Sequence, residues 1–78
     1  MVRKLRELRA DLRRAGFRVK PGRGKGDHEL WYHDQVPEQQ VNLDGRNGED
    51  AQPYQERLVR SALAALRAAQ GQTEERRP

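Results

Sequence analysis

The chain has 78 residues, of which 33% are hydrophobic and 36% are charged, so it has room for one small domain with a thin core. It contains no run of about 18 apolar residues, which excludes a membrane span. Because no charged start is followed by an apolar segment, we expect a cytoplasmic protein rather than a secreted one. The absence of cysteine excludes disulfides, thiolate nucleophiles and cysteine-based zinc sites.

Positive charge is concentrated in the first third of the chain. Up to Gly26 there are ten basic and two acidic residues, a net charge of +8, whereas the remainder carries −4. Two acids cannot neutralise ten bases, so this segment is expected to attract a polyanion such as RNA. The alternative is that the arginines only form the solvated face of a helix.

The first half of the chain predicts a helix followed by two strands. A helix over residues 2–15 is indicated by apolar residues at spacings of three or four, namely Val2, Leu5, Leu8, Leu12 and Ala15. Gly16 is expected to end it in a left-handed conformation. Alternation over residues 17–20 and the aromatic segment 28–33 predict two strands, separated by the glycine-rich turn 21–26.

The second half predicts one more strand and a second helix. Residues 40–43 alternate again, and Pro53 fits the first turn of a helix that Gly71 should end. Its inward stripe is expected to comprise Tyr54, Leu58, Ala62, Leu66 and Ala69, widened by Val59 and Leu63. The order α-β-β-β-α predicts a two-layer α+β domain over residues 1–70, with two helices on one face of a three-stranded antiparallel sheet. Residues 71–78 are expected to form a disordered tail.

His28 is the best candidate for a catalytic residue. It follows a glycine-rich turn that carries Arg23 and Lys25, two cations that can hold a phosphate. An imidazole titrates near neutral pH, as cleavage of an RNA phosphodiester requires of a proton donor or acceptor. The alternative is a histidine that merely packs at the edge of a strand.

The other candidate sites are weaker. His33 lies about 17 Å from His28 along an extended strand and on its opposite face, so the two are not expected to act on one phosphate. Asp27, Glu29 and His33 share a parity, but no known metal-binding spacing is present, and neither a metal nor a cofactor is expected.

Trp31 and Tyr32 must point to opposite faces of their strand. Tyr32 shares its parity with Leu30 and is the better candidate for the core. Trp31 is then expected on the open side of the sheet, where it can stack on a base. The alternative is that Trp31 packs against a helix.

Several segments together resemble the HicA family of small bacterial and archaeal mRNA interferase toxins. They are Ala15-Gly16-Phe17, Gly26-Asp27-His28 and Asp50–Gln55 followed by an apolar helix, in a chain of this size and element order. The resemblance spans roughly residues 3 to 67. It implies a fold like a double-stranded-RNA-binding domain, a catalytic His28, cleavage of mRNA and a HicB-type antitoxin partner. Glu29 departs from the family pattern, which often has histidine or a basic residue there, and places an anion beside the expected phosphate site.

The sequence therefore predicts a toxin that cleaves RNA without a metal. Lys20, Arg23 and Lys25 are expected to position the phosphate, and Trp31 to contact RNA. Two alternatives stay open: an RNA-binding module of the same fold without catalysis, and a basic domain that binds an acidic protein. The start of the second helix lacks a lysine cluster, which counts against a dedicated duplex binder.

Overall fold

The computed structural model describes residues 2–21 and 28–75 and confirms the predicted α+β architecture. Its elements in chain order are α1 (Leu5–Arg14), β1 (Arg18–Pro21), β2 (Glu29–Tyr32), β3 (Val41–Leu43) and α2 (Pro53–Glu75). The three strands form one antiparallel sheet in the order β1-β2-β3. Across the described ranges, no helix combines the length and apolar character needed to cross a membrane.

The core lies between one face of the sheet and the two helices. Its buried apolar side chains are Leu5, Leu8, Leu12, Phe17, Trp31, Val36, Val41, Leu43, Ala51, Val59, Ala62 and Leu66. The start of α1 lies beside the start of α2, and the ends of the two helices also lie together. The helices therefore run in the same direction across the sheet.

The end of α1 confirms the role predicted for Gly16. This residue has φ +97°, a conformation that a glycine adopts without steric cost. The Phe17 N–H donates to the Leu12 carbonyl at 3.0 Å and the Gly16 N–H to the Arg13 carbonyl at 3.0 Å. This pair of bonds is a Schellman motif, which satisfies carbonyls at the helix end and turns the chain into β1.

The start of α1 is fixed by the loop between β3 and α2. The Leu5 and Arg6 N–H groups donate to the carbonyls of Glu49 and Asn47, at 2.9 and 3.1 Å. The helix has no side-chain cap at Lys4, so these loop carbonyls satisfy its first donors. The helix begins at Leu5 rather than near residue 2 because residues 3 and 4 pair with residues 50 and 51 instead.

The inward face of α2 differs from the predicted stripe. Tyr54 and Leu58 are exposed, at 48% and 37%, whereas Gln55 and Val59 are buried. The Gln55 amide group donates to the backbone and side-chain oxygens of Asp44, and its oxygen accepts from the Gln52 N–H at 2.7 Å. These bonds cap the helix and bury Gln55 in place of Tyr54. Farther along α2 the predicted stripe is confirmed, because Val59, Ala62 and Leu66 are buried.

The far end of α2 also differs from the prediction. The helix continues through Gly71 to Glu75, so it does not end at Gly71 and extends beyond the predicted domain boundary. Glycine in a helix interior costs only about 1 kcal/mol relative to alanine, and no proline follows before Pro78. Residues 76–78 of the predicted disordered tail lie outside the described residues.

Candidate functional site

The sheet surface opposite the helices carries a cluster of cationic and aromatic side chains. The register pairs Arg18 with Tyr32, Lys20 with Leu30, and Leu30 with Asn42, so these five residues share one side of the sheet. We call this surface the open face. Arg18, Lys20 and Asn42 are exposed, and Leu30 and Tyr32 are half-buried.

Tyr32 is the aromatic centre of the open face. The Arg18 guanidinium carbon lies 5.3 Å from the centroid of its ring, and the Lys20 ammonium nitrogen lies 5.7 Å from it. Both distances fall within the range of a cation–π interaction. The register explains this cluster, because Arg18 is the direct cross-strand partner of Tyr32 and Lys20 is a diagonal neighbour.

His28 lies immediately before β2 and is exposed to solvent. It precedes Leu30 by two positions, so continued alternation of the strand places it at the end of the open face. The imidazole is therefore accessible to a polymer, as a catalytic role requires. Arg23 and Lys25, which were predicted to hold the phosphate beside it, lie outside the described residues.

Glu29 does not present its charge beside His28. Its carboxylate accepts a hydrogen bond from Arg9 Nε at 2.9 Å and one from the Trp31 indole N–H at 3.1 Å. Glu29 lies on the same side of the sheet as Trp31 and Leu43, and this side faces the helices. The departure from the HicA pattern at this position therefore places a half-buried, paired anion on the helix-facing side of the sheet rather than on the side expected to hold the phosphate.

Arg9 is a buried cation that the sequence analysis missed. Only 8% of the residue is exposed, and besides Glu29 it donates to Asn47 Oδ1 at 2.7 Å and to the Gly45 carbonyl at 2.6 Å. These bonds join α1 to β2 and to the loop before α2. The burial of Arg9 could have been predicted from its position in the sequence, because it lies four residues after Leu5 and therefore on the apolar face of α1.

Trp31 does not face solvent, so the prediction that it contacts RNA is wrong. It is 1% exposed and belongs to the core, whereas Tyr32 lies on the open face. The reason is the register: Trp31 pairs with Val41, and Val41 faces the helices. The Arg13 guanidinium carbon also lies 5.4 Å from the centroid of the indole.

The positive charge of the first segment is more neutralised than its sequence suggests. Of the eight basic residues in the described range 2–21, five form ion pairs: Arg3, Lys4, Arg9, Arg14 and Arg18. Three of the partners, Glu29, Asp34 and Asp50, come from later in the chain. The count of two acids against ten bases therefore leaves out three acids that pair with this segment from later in the chain. Exposed pairs are worth only about 0–1 kcal/mol, however, so a phosphate can compete for the paired cations other than the buried Arg9.

His33 has structural contacts of its own. Its ring packs edge-on against Phe17, with the centroids 5.1 Å apart, and its Nδ1 accepts a hydrogen bond from the Gln35 N–H at 3.0 Å. It follows the last residue of β2, as expected of a polar residue at the end of the strand. Within residues 2–21 and 28–75, no group of three or more metal-ligating side chains comes together.

Comparison of the chain with protein-family models, with curated proteins and with solved structures gives no match. The resemblance to the HicA family therefore stays a prediction that rests on the quoted segments alone.

Proposed function

We propose that this chain is the toxin of a type II toxin–antitoxin module and cleaves mRNA, with His28 as a catalytic residue. The observation that carries the proposal is the accessible His28 at the end of a sheet face that bears Arg18 and Lys20. A metal-independent ribonuclease requires an accessible proton-transfer group and cations that stabilise the phosphate, and one face of the sheet offers both. The resemblance to HicA toxins supports the same function.

The proposed reaction is an intramolecular transfer at phosphorus. The ribose 2′-oxygen attacks the phosphorus atom while the bond from phosphorus to the 5′-oxygen breaks. The 2′-hydroxyl loses a proton and the leaving 5′-oxygen gains one. His28 carries out one of these two proton transfers, which is worth about 10²- to 10⁴-fold in rate.

The proposal gives three cations a separate role. Lys20, Arg23 and Lys25 position the phosphate and stabilise the negative charge that builds up on its oxygens. Lys20 extends from β1 on the same face as Leu30, two positions from His28. Glu29, held by Arg9 on the other side of the sheet, does not oppose this anion-binding role.

The proposed protein partner is an antitoxin of the HicB type that covers the active site. Co-expression with the protein encoded by the neighbouring gene should restore growth to cells that express this chain. Failure of that gene product to restore growth, or to bind the chain, would contradict the toxin–antitoxin assignment.

The test of the proposed function compares the same substitution at the two histidines. Induced expression of the wild-type chain is expected to arrest growth and to degrade cellular mRNA. The His28→Asn variant should lose both effects, because it removes the proton-transfer group and leaves the described packing unchanged. The His33→Asn variant serves as the matched control and should remain toxic.

Full toxicity of the His28→Asn variant would overturn the proposal. Growth arrest without mRNA cleavage, in both the wild type and this variant, would favour an RNA-binding module without catalysis. With purified protein, RNA binding that weakens steeply with salt and yields no cleavage product would support that second function.

A further inference from the structure

We propose that the open face binds a single-stranded segment of the RNA, with one unstacked base against Tyr32 and the adjoining backbone against Arg18 and Lys20. The inference rests on the proposed function for the identity of the substrate. It adds a binding site that lies apart from His28 and assigns to Tyr32 the base contact that the sequence suggested for Trp31.

The geometry of the cluster favours a nucleic acid over other ligands. Tyr32 is a half-buried ring with two exposed cations over it, 5.3 and 5.7 Å from its centroid. A base that displaces a cation from the ring therefore finds stacking and phosphate contacts at the same place. Arg18 also pairs with Asp34, at 3.1 Å, but the side chains of both residues are well exposed, at 63% and 79%. A phosphate can therefore displace Asp34 at little cost.

The open face suits a single strand rather than a duplex. Bases in a duplex are stacked on one another, whereas a base in a single strand is free to stack on a protein aromatic group. Tyr32 provides an aromatic ring for such stacking, and the half-buried Leu30 extends the apolar surface of the open face toward His28. The start of α2 has Glu56 and Arg57 where a duplex-binding domain would present a cluster of lysines.

The distance between Tyr32 and His28 separates the proposed base-binding site from the proposed site of cleavage. Tyr32 and His28 are four residues apart on β2 and its extension, a distance of about 13 Å at roughly 3.3 Å per residue. The base on Tyr32 and the phosphate at His28 therefore belong to different nucleotides. Loss of Tyr32 is expected to weaken substrate binding, whereas loss of His28 is expected to slow cleavage.

A single-stranded DNA oligonucleotide tests the inference without cleavage, because it lacks the 2′-hydroxyl. We expect fluorescence anisotropy to show that the wild type binds the single strand more tightly than the same sequence as a duplex. The Tyr32→Ala variant should lose about 5- to 150-fold in affinity, which corresponds to the loss of one base–aromatic stack. The Tyr32→Phe variant should retain the wild-type affinity.

Two further variants complete the design. Tyr54→Ala is the matched control, because Tyr54 is an exposed tyrosine on α2, outside the open face, and its loss should leave affinity unchanged. Arg18→Gln alters an exposed side chain that has no assigned role at His28, and it should lower the salt slope of binding by about one. This second variant keeps the test decisive if Tyr32→Ala does not fold.

The outcomes separate this inference from the proposed function. Wild-type affinity in folded Tyr32→Ala, or an unchanged salt slope in Arg18→Gln, would overturn the inference and would leave cleavage by His28 intact. Such a result would leave a protein as the better candidate for the occupant of the open face. Binding that depends on Tyr32, in a chain that cleaves no RNA, would instead support the inference and reject the proposed enzyme.

Discussion

Replacing Arg9 with alanine tests the buried ionic network that fixes the start of β2. The substitution removes three hydrogen bonds of 2.9, 2.7 and 2.6 Å, to Glu29, Asn47 and the Gly45 carbonyl. It leaves the Glu29 carboxylate with the Trp31 indole N–H as its remaining described partner. Because Glu29 is the chain neighbour of His28, the network also anchors the strand end that presents the proposed catalytic residue.

The Arg9→Ala substitution is expected to cost less stability than the removal of one member of a fully buried ion pair. Removing one member of such a pair costs about 3–5 kcal/mol. The Glu29 side chain is 32% exposed, so water can partly solvate its carboxylate once Arg9 is gone. We therefore expect a loss of about 2–3 kcal/mol in the free energy of unfolding, bounded above by the buried-pair figure. At roughly 4–8 °C per kcal/mol for a domain of this size, the melting temperature should fall by about 10–20 °C.

Urea and thermal unfolding followed by circular dichroism measure this loss. The control is Arg6→Ala, which removes an exposed arginine from the same helix and should change stability by less than about 0.5 kcal/mol. In a double-mutant cycle on the free energy of unfolding, Arg9→Ala and Glu29→Gln should show an interaction energy of about 1 kcal/mol or more. Equal effects of Arg9→Ala and Arg6→Ala would refute the assigned role of Arg9.

Three further predictions follow from the described contacts and the proposed chemistry. Gly45→Ala should destabilise the fold by at least about 1–2 kcal/mol in urea unfolding, because φ is +117° and the new Cβ would lie 2.6 Å from Leu5 Cδ1. Burial opposes the charge of Asp11, but hydrogen bonds from Arg3 and Arg14 outweigh it and hold its pKa below the usual value. Asp11→Asn should therefore lower the melting temperature at neutral pH. The difference from wild type should shrink below about pH 4, where the unfolded carboxyl protonates, and should vanish as the pH falls through the lowered native pKa. RNA cleavage is expected to persist in EDTA, and loss of activity restored by a divalent cation would contradict the metal-independent mechanism.

Local patterns were sufficient to predict the fold. The three- and four-residue spacing of apolar residues predicted α1, and Gly16 predicted its end, because both depend on the geometry of one segment. Pro53 at the first turn of α2 is a further case. His28 could be predicted at the start of β2 for the same reason, because a glycine-rich segment of the sequence precedes it and an aromatic one follows.

Features that depend on contacts between distant segments could not be predicted in this way. Trp31 and Tyr32 alternate within β2, but only the pairing of Trp31 with Val41 decides which of them is buried. Arg9 is buried because Glu29, twenty residues later, accepts its hydrogen bond. Charge counted along the first segment likewise missed Glu29 and two more acids from later in the chain.

The most direct test of the central claim is the rate at which purified protein cleaves a single-stranded RNA. We expect the wild type and His33→Asn to cleave at similar rates, and His28→Asn to be slower by about 10²- to 10⁴-fold while its melting temperature is unchanged. Cleavage by His28→Asn at the wild-type rate, or no cleavage by the folded wild-type protein, would contradict the claim that His28 transfers a proton during RNA cleavage.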